Sequence, residues 1–118
     1  MFDFEKLEVW QKAIHFADLV YAMTRKFPSE EWFGLTNQMR RAAVSISSNI
    51  PEGSSRMSKN DFARFLEIAT GSVFEVVSQA FIGRRQRFID EPKFQALYAA
   101  AEEQSKMLSG LRESLLPG

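Results

Sequence analysis

The sequence contains no cysteine and only one histidine, His15. Without cysteine there are no disulfides, no thiol nucleophile and no thiolate-held metal, and the composition fits a reducing cytoplasm. A single histidine cannot supply the Glu-x-x-His pair that bundle di-iron sites need on each of two helices, and Lys12 stands three residues before it. A nucleophile–histidine–carboxylate array would also have to use His15, with Asp18 as its near carboxylate; packing or surface exposure is the more ordinary role. The glycines are scattered: Gly34 and Gly53 stand alone, with no Gly-Lys-Ser/Thr after them, so there is no phosphate loop. No segment sustains the alternation of a strand, and no run reaches the roughly 18 uninterrupted apolar residues of a membrane span. The first residues, MFDFEKLEVW, lack the basic-then-apolar order of a secretory signal. Glu52, Glu67 and Glu75 offer carboxylates, but nothing pairs them at a defined spacing. These absences point away from an enzyme, and neither cofactor, metal, membrane nor small-molecule substrate is expected.

What remains is helix. The 118 residues and 13.5 kDa suit one domain spanning 1–118. Leu7, Trp10, Ile14, Ala17, Tyr21 and Thr24 recur at spacings of three and four, with Ala13, Phe16, Val20, Met23 and Phe27 as a second line, predicting a helix over 6–26. Pro28 ends it. Trp32 and Phe33 follow, either plugging the bundle end or presenting rings to bases. A second helix over 34–50 carries Leu35, Met39, Ala42, Ala43, Ile46 and Ile50; it is expected to fail at Pro51, which lacks an amide hydrogen, with Gly53 in a C-terminal turn. Ser58 caps a third helix over 58–89, and Asp90-Glu91-Pro92 opens a fourth over 92–115, closed by Leu116-Pro117-Gly118. Four helices on short connections predict an all-α, antiparallel up-down-up-down bundle.

The third helix has more apolar surface than one bundle can cover. Phe62, Phe65, Leu66, Ala69, Val73, Val76, Val77 and Ala80 make its core side. Phe74, Phe81 and Phe88 form another line about 100° away, and Ile68 and Ile82 lie on a third side. With eleven phenylalanines in so short a chain, a homo-oligomer interface at Phe74, Phe81 and Phe88 is expected.

Charge is the other unusual feature. Fifteen basic and fifteen acidic residues cancel, yet the middle of the chain is basic. Arg40 and Arg41 flank the second helix's apolar face, and Arg84, Arg85 and Arg87 crowd the third helix's end. Together they offer phosphate contacts for nucleic acid or, more plainly, interfacial salt bridges and solvated charge. Gln38, Ser45, Asn49 and Glu52 make the second helix polar. We expect them to form a hydrogen-bonded seam with Glu75 or Gln79, and Arg56 to pin the following turn through Glu52.

Several blocks carry a resemblance: Leu7-Glu8-Val9-Trp10-Gln11-Lys12-Ala13, Phe27-Pro28-x-Glu30, and Gly34-Leu35-x-x-Gln38-x-Arg40-Arg41-Ala42-x-Val44-Ser45-Ile46. Asn49-Ile50-x-Glu52-Gly53-x-x-Arg56 and Phe65-Leu66-x-x-Ala69-x-Gly71-Ser72-x-x-Glu75 continue it. In this order they resemble the bacterial four-helix-bundle proteins known from intervening sequences in 23S ribosomal RNA genes. The resemblance implies a short bundle assembling as a ring, typically a homopentamer. It also implies kinship with basic, nucleic-acid-associated accessory proteins of diversity-generating retroelements. The chain departs from the pattern at Pro51, where the family usually has alanine, and from the retroelement proteins in being neutral.

Overall fold

A computed structural model describes residues 1–117, so the Gly118 of the expected closing turn lies outside the described residues. Four helices follow one another: α1 (Glu8–Thr24), α2 (Asn37–Ser54), α3 (Lys59–Arg85) and α4 (Glu91–Leu115). Each packs on its neighbours in a closed order, α1 on α2, α2 on α3, α3 on α4 and α4 back on α1, in a rod of 44 × 25 × 20 Å. Short connections between long helices force the antiparallel arrangement. No strand occurs among the described residues.

The helix starts obey local chemistry. The Asp61 amide donates to Ser58 Oγ at 3.0 Å, and the Lys93 amide to Asp90 Oδ1 at 3.0 Å; each cap satisfies an amide that the first turn leaves free. Pro92 sits in the first turn of α4, where no amide donor is missed. At the other end of the chain, Asp3–Lys6 forms a 3-10 turn, so α1 begins slightly later than the periodicity suggests.

The core is built from Val9, Ala13, Phe16, Val20 and Met23 of α1, and from Met39, Ala42, Ala43, Ile46 and Ile50 of α2. Leu66, Ala69, Val73, Val76 and Ala80 of α3 and Phe94, Leu97, Ala101 and Leu108 of α4 complete it. On α1 the predicted order of the two lines reverses: the Ala13–Phe16–Val20 line is the buried one, while Ile14 is exposed. Gln104 enters this core and donates from Nε2 to the Val9 carbonyl at 3.1 Å, tying α4 to the start of α1. By length and mean hydropathy α3 meets the requirement for a membrane span, but its most apolar side packs on α2 and α4.

Other expectations are corrected. Pro51 does not stop α2, which continues to Ser54. Proline removes only the donor to the Ser47 carbonyl; beyond it the Ser55 amide donates to the Pro51 carbonyl at 3.0 Å, and Gly53 is buried. A Cβ on Gly53 would lie 2.8 Å from both Phe62 Cδ1 and Phe65 Cβ, so this glycine permits close helix approach instead of making a turn.

The third helix stops at Arg85, short of the predicted residue 89. Arg87 has φ 65°, the Phe88 amide donates to the Gly83 carbonyl at 2.8 Å, and the Arg87 amide to the Arg84 carbonyl at 3.0 Å. This is the paired closure of a Schellman motif, with arginine where glycine is usual. Phe88 therefore leaves the helix and packs on Phe27, ring centres 5.5 Å apart. It belongs to the bundle end and not to a line with Phe74 and Phe81.

Trp32 and Phe33 do not plug the bundle. They lie on a π-type turn, Trp32–Thr36, kinked at Gly34, and are 55% and 88% exposed. Phe27, Phe88 and Ile89 close that end in their place: Phe27 and Ile89 are buried, and Ile89 packs into the space that a Gly83 side chain would need. Arg56 does not reach Glu52; its guanidinium lies over the Phe65 ring, 4.7 Å from the centre.

Candidate functional site

Of the expected polar seam only Ser45 and Asn49 hydrogen-bond together, and their partner across the helices is a different one. Asn49 Nδ2 donates to the Ser45 carbonyl at 2.7 Å and to Ser45 Oγ at 3.0 Å, and Ser72 Oγ donates to Ser45 Oγ at 2.9 Å across the α2–α3 contact. Ser72, absent from the predicted set, takes the place expected of Glu75 or Gln79. Glu75 is exposed, and buried Gln79 leaves its Oε1 unpaired. Gln38, Arg41, Ser45, Ser72 and Glu75 line one polar cleft beside this contact, while Glu52 is exposed on the last turns of α2.

The five predicted arginines separate into different environments. Arg84 is occupied: it pairs with Glu91 at 3.2 Å and lies 3.9 Å from the Phe94 ring centre and 5.1 Å from that of Phe81. Arg85 and Arg87 are exposed, and the Arg87 backbone forms the helix cap. Arg40 is half-buried on the α1–α2 side. Its Nε donates to Thr24 Oγ1 at 2.9 Å, and its guanidinium carbon lies 4.6 Å from the Tyr21 ring centre and 5.2 Å from that of Trp32. Neither Arg40 nor Arg41 has a carboxylate within ion-pair distance among the described residues. Tyr21, Thr24 and the nearby Arg25 were not predicted as part of this cluster; only the register of α1 on α2 brings them to Arg40.

Antiparallel packing gathers charge at this end of the rod. The end of α1, the starts of α2 and α4 and the end of α3 carry Arg25, Lys26, Arg40, Arg41, Arg84, Arg85, Arg87 and Lys93, against Glu30, Glu31, Asp90 and Glu91. Lys26 shows the crowding. The approach of the Lys93 amine and the repulsion between the two hold its pKa below the ordinary lysine range, with Asp90 opposing.

The apolar surplus of α3 runs along its outer flanks, and Phe81 reaches Arg84 at the charged end. Phe74 is 65% and Phe81 40% exposed, and Phe81 stacks edge-on against Phe94 at 5.0 Å and Tyr98 at 6.3 Å. Between α3 and α4 lies an open groove of about 360 Å³, lined by Val73, Phe74, Val77, Tyr98 and Ala101 and edged by Glu102 and Lys106. Ile68 and Ile82 are 49% and 51% exposed on the α2-facing flank of the same helix.

This arrangement of four helices has a known setting. The model of the 23S rRNA-intervening sequence protein family matches residues 5–110. The chain belongs to this family. Its fold is similar to the crystal structure of a protein of unknown function from the S23 ribosomal protein family of Bacteroides thetaiotaomicron VPI-5482. The TM-score is 0.82 at 24% identity, over 89% of this chain and 98% of that one. No functionally curated protein matches the chain.

Proposed function

We propose that this 23S rRNA-intervening sequence protein is a non-catalytic scaffold or adaptor that works as a homo-oligomer, with α3 at the contact between copies. The observation that carries the reading is the exposure of Phe74 and Phe81 on one flank of α3 and of Ile68 and Ile82 on another, about 100° around the helix. Large aromatic and branched side chains clustered beside a groove are characteristic of association surfaces. Two different apolar flanks on one helix suit a heterologous contact, in which the Phe74–Tyr98 groove of one copy receives the Ile68–Ile82 flank of the next. A heterologous contact with the right rotation closes into a ring, in keeping with the pentamer that the family resemblance implies. The only histidine, His15, is exposed and makes no side-chain hydrogen bond among the described residues, which gives an enzyme reading no support.

Light scattering on the purified chain tests this reading. A mass several times 13.5 kDa at micromolar concentration is expected, and a monomer there overturns it.

A second reading, nucleic-acid binding, is favoured by the basic end of the rod. Its strongest residues are Arg40 and Arg41, with Arg85 and Arg87; the Glu91 carboxylate already neutralises Arg84. Binding that weakens steeply as salt rises is the expected signature.

A further inference from the structure

Three adjoining concavities meet at Trp32 and Arg40. Their walls hold Arg25, Arg40 and Arg41 together with Tyr21, Trp32 and Phe33, and no carboxylate lines any of them. The groove on α3–α4 differs in carrying Glu102, and the polar cleft on α2–α3 in carrying Glu75. Arg40 is already oriented: Thr24 Oγ1 holds its Nε, its guanidinium carbon lies over the Tyr21 and Trp32 rings, and only a long 3.5 Å contact joins a terminal nitrogen to the Tyr21 carbonyl. The remaining donors of the fork are free for an oxyanion. Cations held without carboxylates beside open aromatic faces match a ligand that is both anionic and aromatic.

We infer that this cleft binds one nucleotide unit of a single strand, its base against Trp32 and Phe33 and its phosphate at Arg40 and Arg41. The inference rests on the nucleic-acid reading above and gives it a location and a preference. In a duplex the base faces are already stacked on one another, so an exposed indole gains nothing from it; an unpaired base offers a free π-face. The Trp32–Arg40 part of the cleft lies on the α1–α2 side, while Arg41 at its edge also lines the cleft that holds Glu75, beside the Ile68–Ile82 flank.

Fluorescence anisotropy with a labelled single-stranded RNA and the full-length chain tests the inference. Unlabelled duplex, mononucleotide, inorganic phosphate and a polyglutamate peptide serve as competitors. The expected result is competition by the single strand well ahead of all four, with about a tenfold loss of affinity for Trp32→Ala and near-full recovery for Trp32→Phe. Arg40→Lys, which keeps the charge but loses the fork, is expected to weaken binding several-fold. Circular dichroism confirms that each variant is folded, and Trp32 is exposed enough that its replacement leaves the core intact. Equal competition by duplex, mononucleotide or polyglutamate overturns the inference. If Trp32→Ala binds normally while Arg85→Ala with Arg87→Ala does not, the cleft is wrong and the nucleic-acid reading survives. Absence of binding to any strand at low salt removes both.

Discussion

Ser72 Oγ donates to Ser45 Oγ at 2.9 Å, joining the middle of α3 to the middle of α2 where the two helices carry their smallest side chains. The acceptor is itself held by Asn49 from the next turn of α2. Each helix thereby fixes the other's register at a point where apolar contacts alone would let them slide. Ser45→Ala leaves the buried Ser72 hydroxyl without its partner and is expected to cost about 1–3 kcal/mol. Ser72→Ala leaves Ser45 still bonded to Asn49 and should cost only about 1 kcal/mol. Urea denaturation of both variants and the double variant checks the order, and additive effects would mean that the pair is not coupled.

Gly53 is a second point of close approach between the same helices. Gly53→Ala places a methyl group 2.8 Å from Phe62 and Phe65 atoms, one of them a Cβ with little freedom to yield. The expected loss is about 1–3 kcal/mol by thermal or denaturant unfolding, although alanine is the better helix former. Unchanged or raised stability would show that α2 and α3 separate here easily.

Arg87 should respond in the opposite sense. It holds φ 65° at the position after α3 where glycine is ordinarily found, and left-handed geometry costs a branched-Cα residue roughly 1 kcal/mol. Arg87→Gly is therefore expected to raise stability by about 1 kcal/mol in an unfolding titration. A loss of stability would assign the Arg87 side chain a contact that outweighs its backbone cost.

Much of the architecture was legible before any coordinate. Three-and-four spacing marked four helices, and Ser58, Asp90 and Pro92 marked two of their starts, because capping is local chemistry. The end of α3 was not legible. Phe88 and Ile89 continue an apolar pattern past the point where the chain turns, and the left-handed residue is an arginine, so the usual glycine signal is missing. Pro51 misled for a related reason: a proline predicts the loss of one hydrogen bond, but tertiary packing around Gly53 decides whether the helix survives it. At the site, Arg40 and Arg41 stood out as adjacent charges. The roles of Tyr21, Thr24 and Ser72 depend on which turn of one helix faces which turn of another, and no spacing within a single helix records that. Trp32 and Phe33 had two readings from sequence, and their exposure removes the one in which they plug the bundle end.

The two flanks of α3 can be separated by mixing variants. A chain with Phe74→Glu and Phe81→Glu keeps only the isoleucine flank, and one with Ile68→Glu and Ile82→Glu keeps only the groove. Each alone is expected to be a folded monomer, since all four side chains are exposed. A one-to-one mixture should form a dimer through the one remaining complementary contact. Two variants that stay monomeric when mixed would contradict a head-to-tail contact.

Sedimentation equilibrium of the unmodified chain beside the Phe74→Glu, Phe81→Glu variant tests self-association through α3 most directly. The predicted result is a mass several times 13.5 kDa for the unmodified chain and a helical monomer for the variant. An unmodified chain that sediments as a monomer at micromolar concentration, or a variant that assembles as well as the parent, would contradict it.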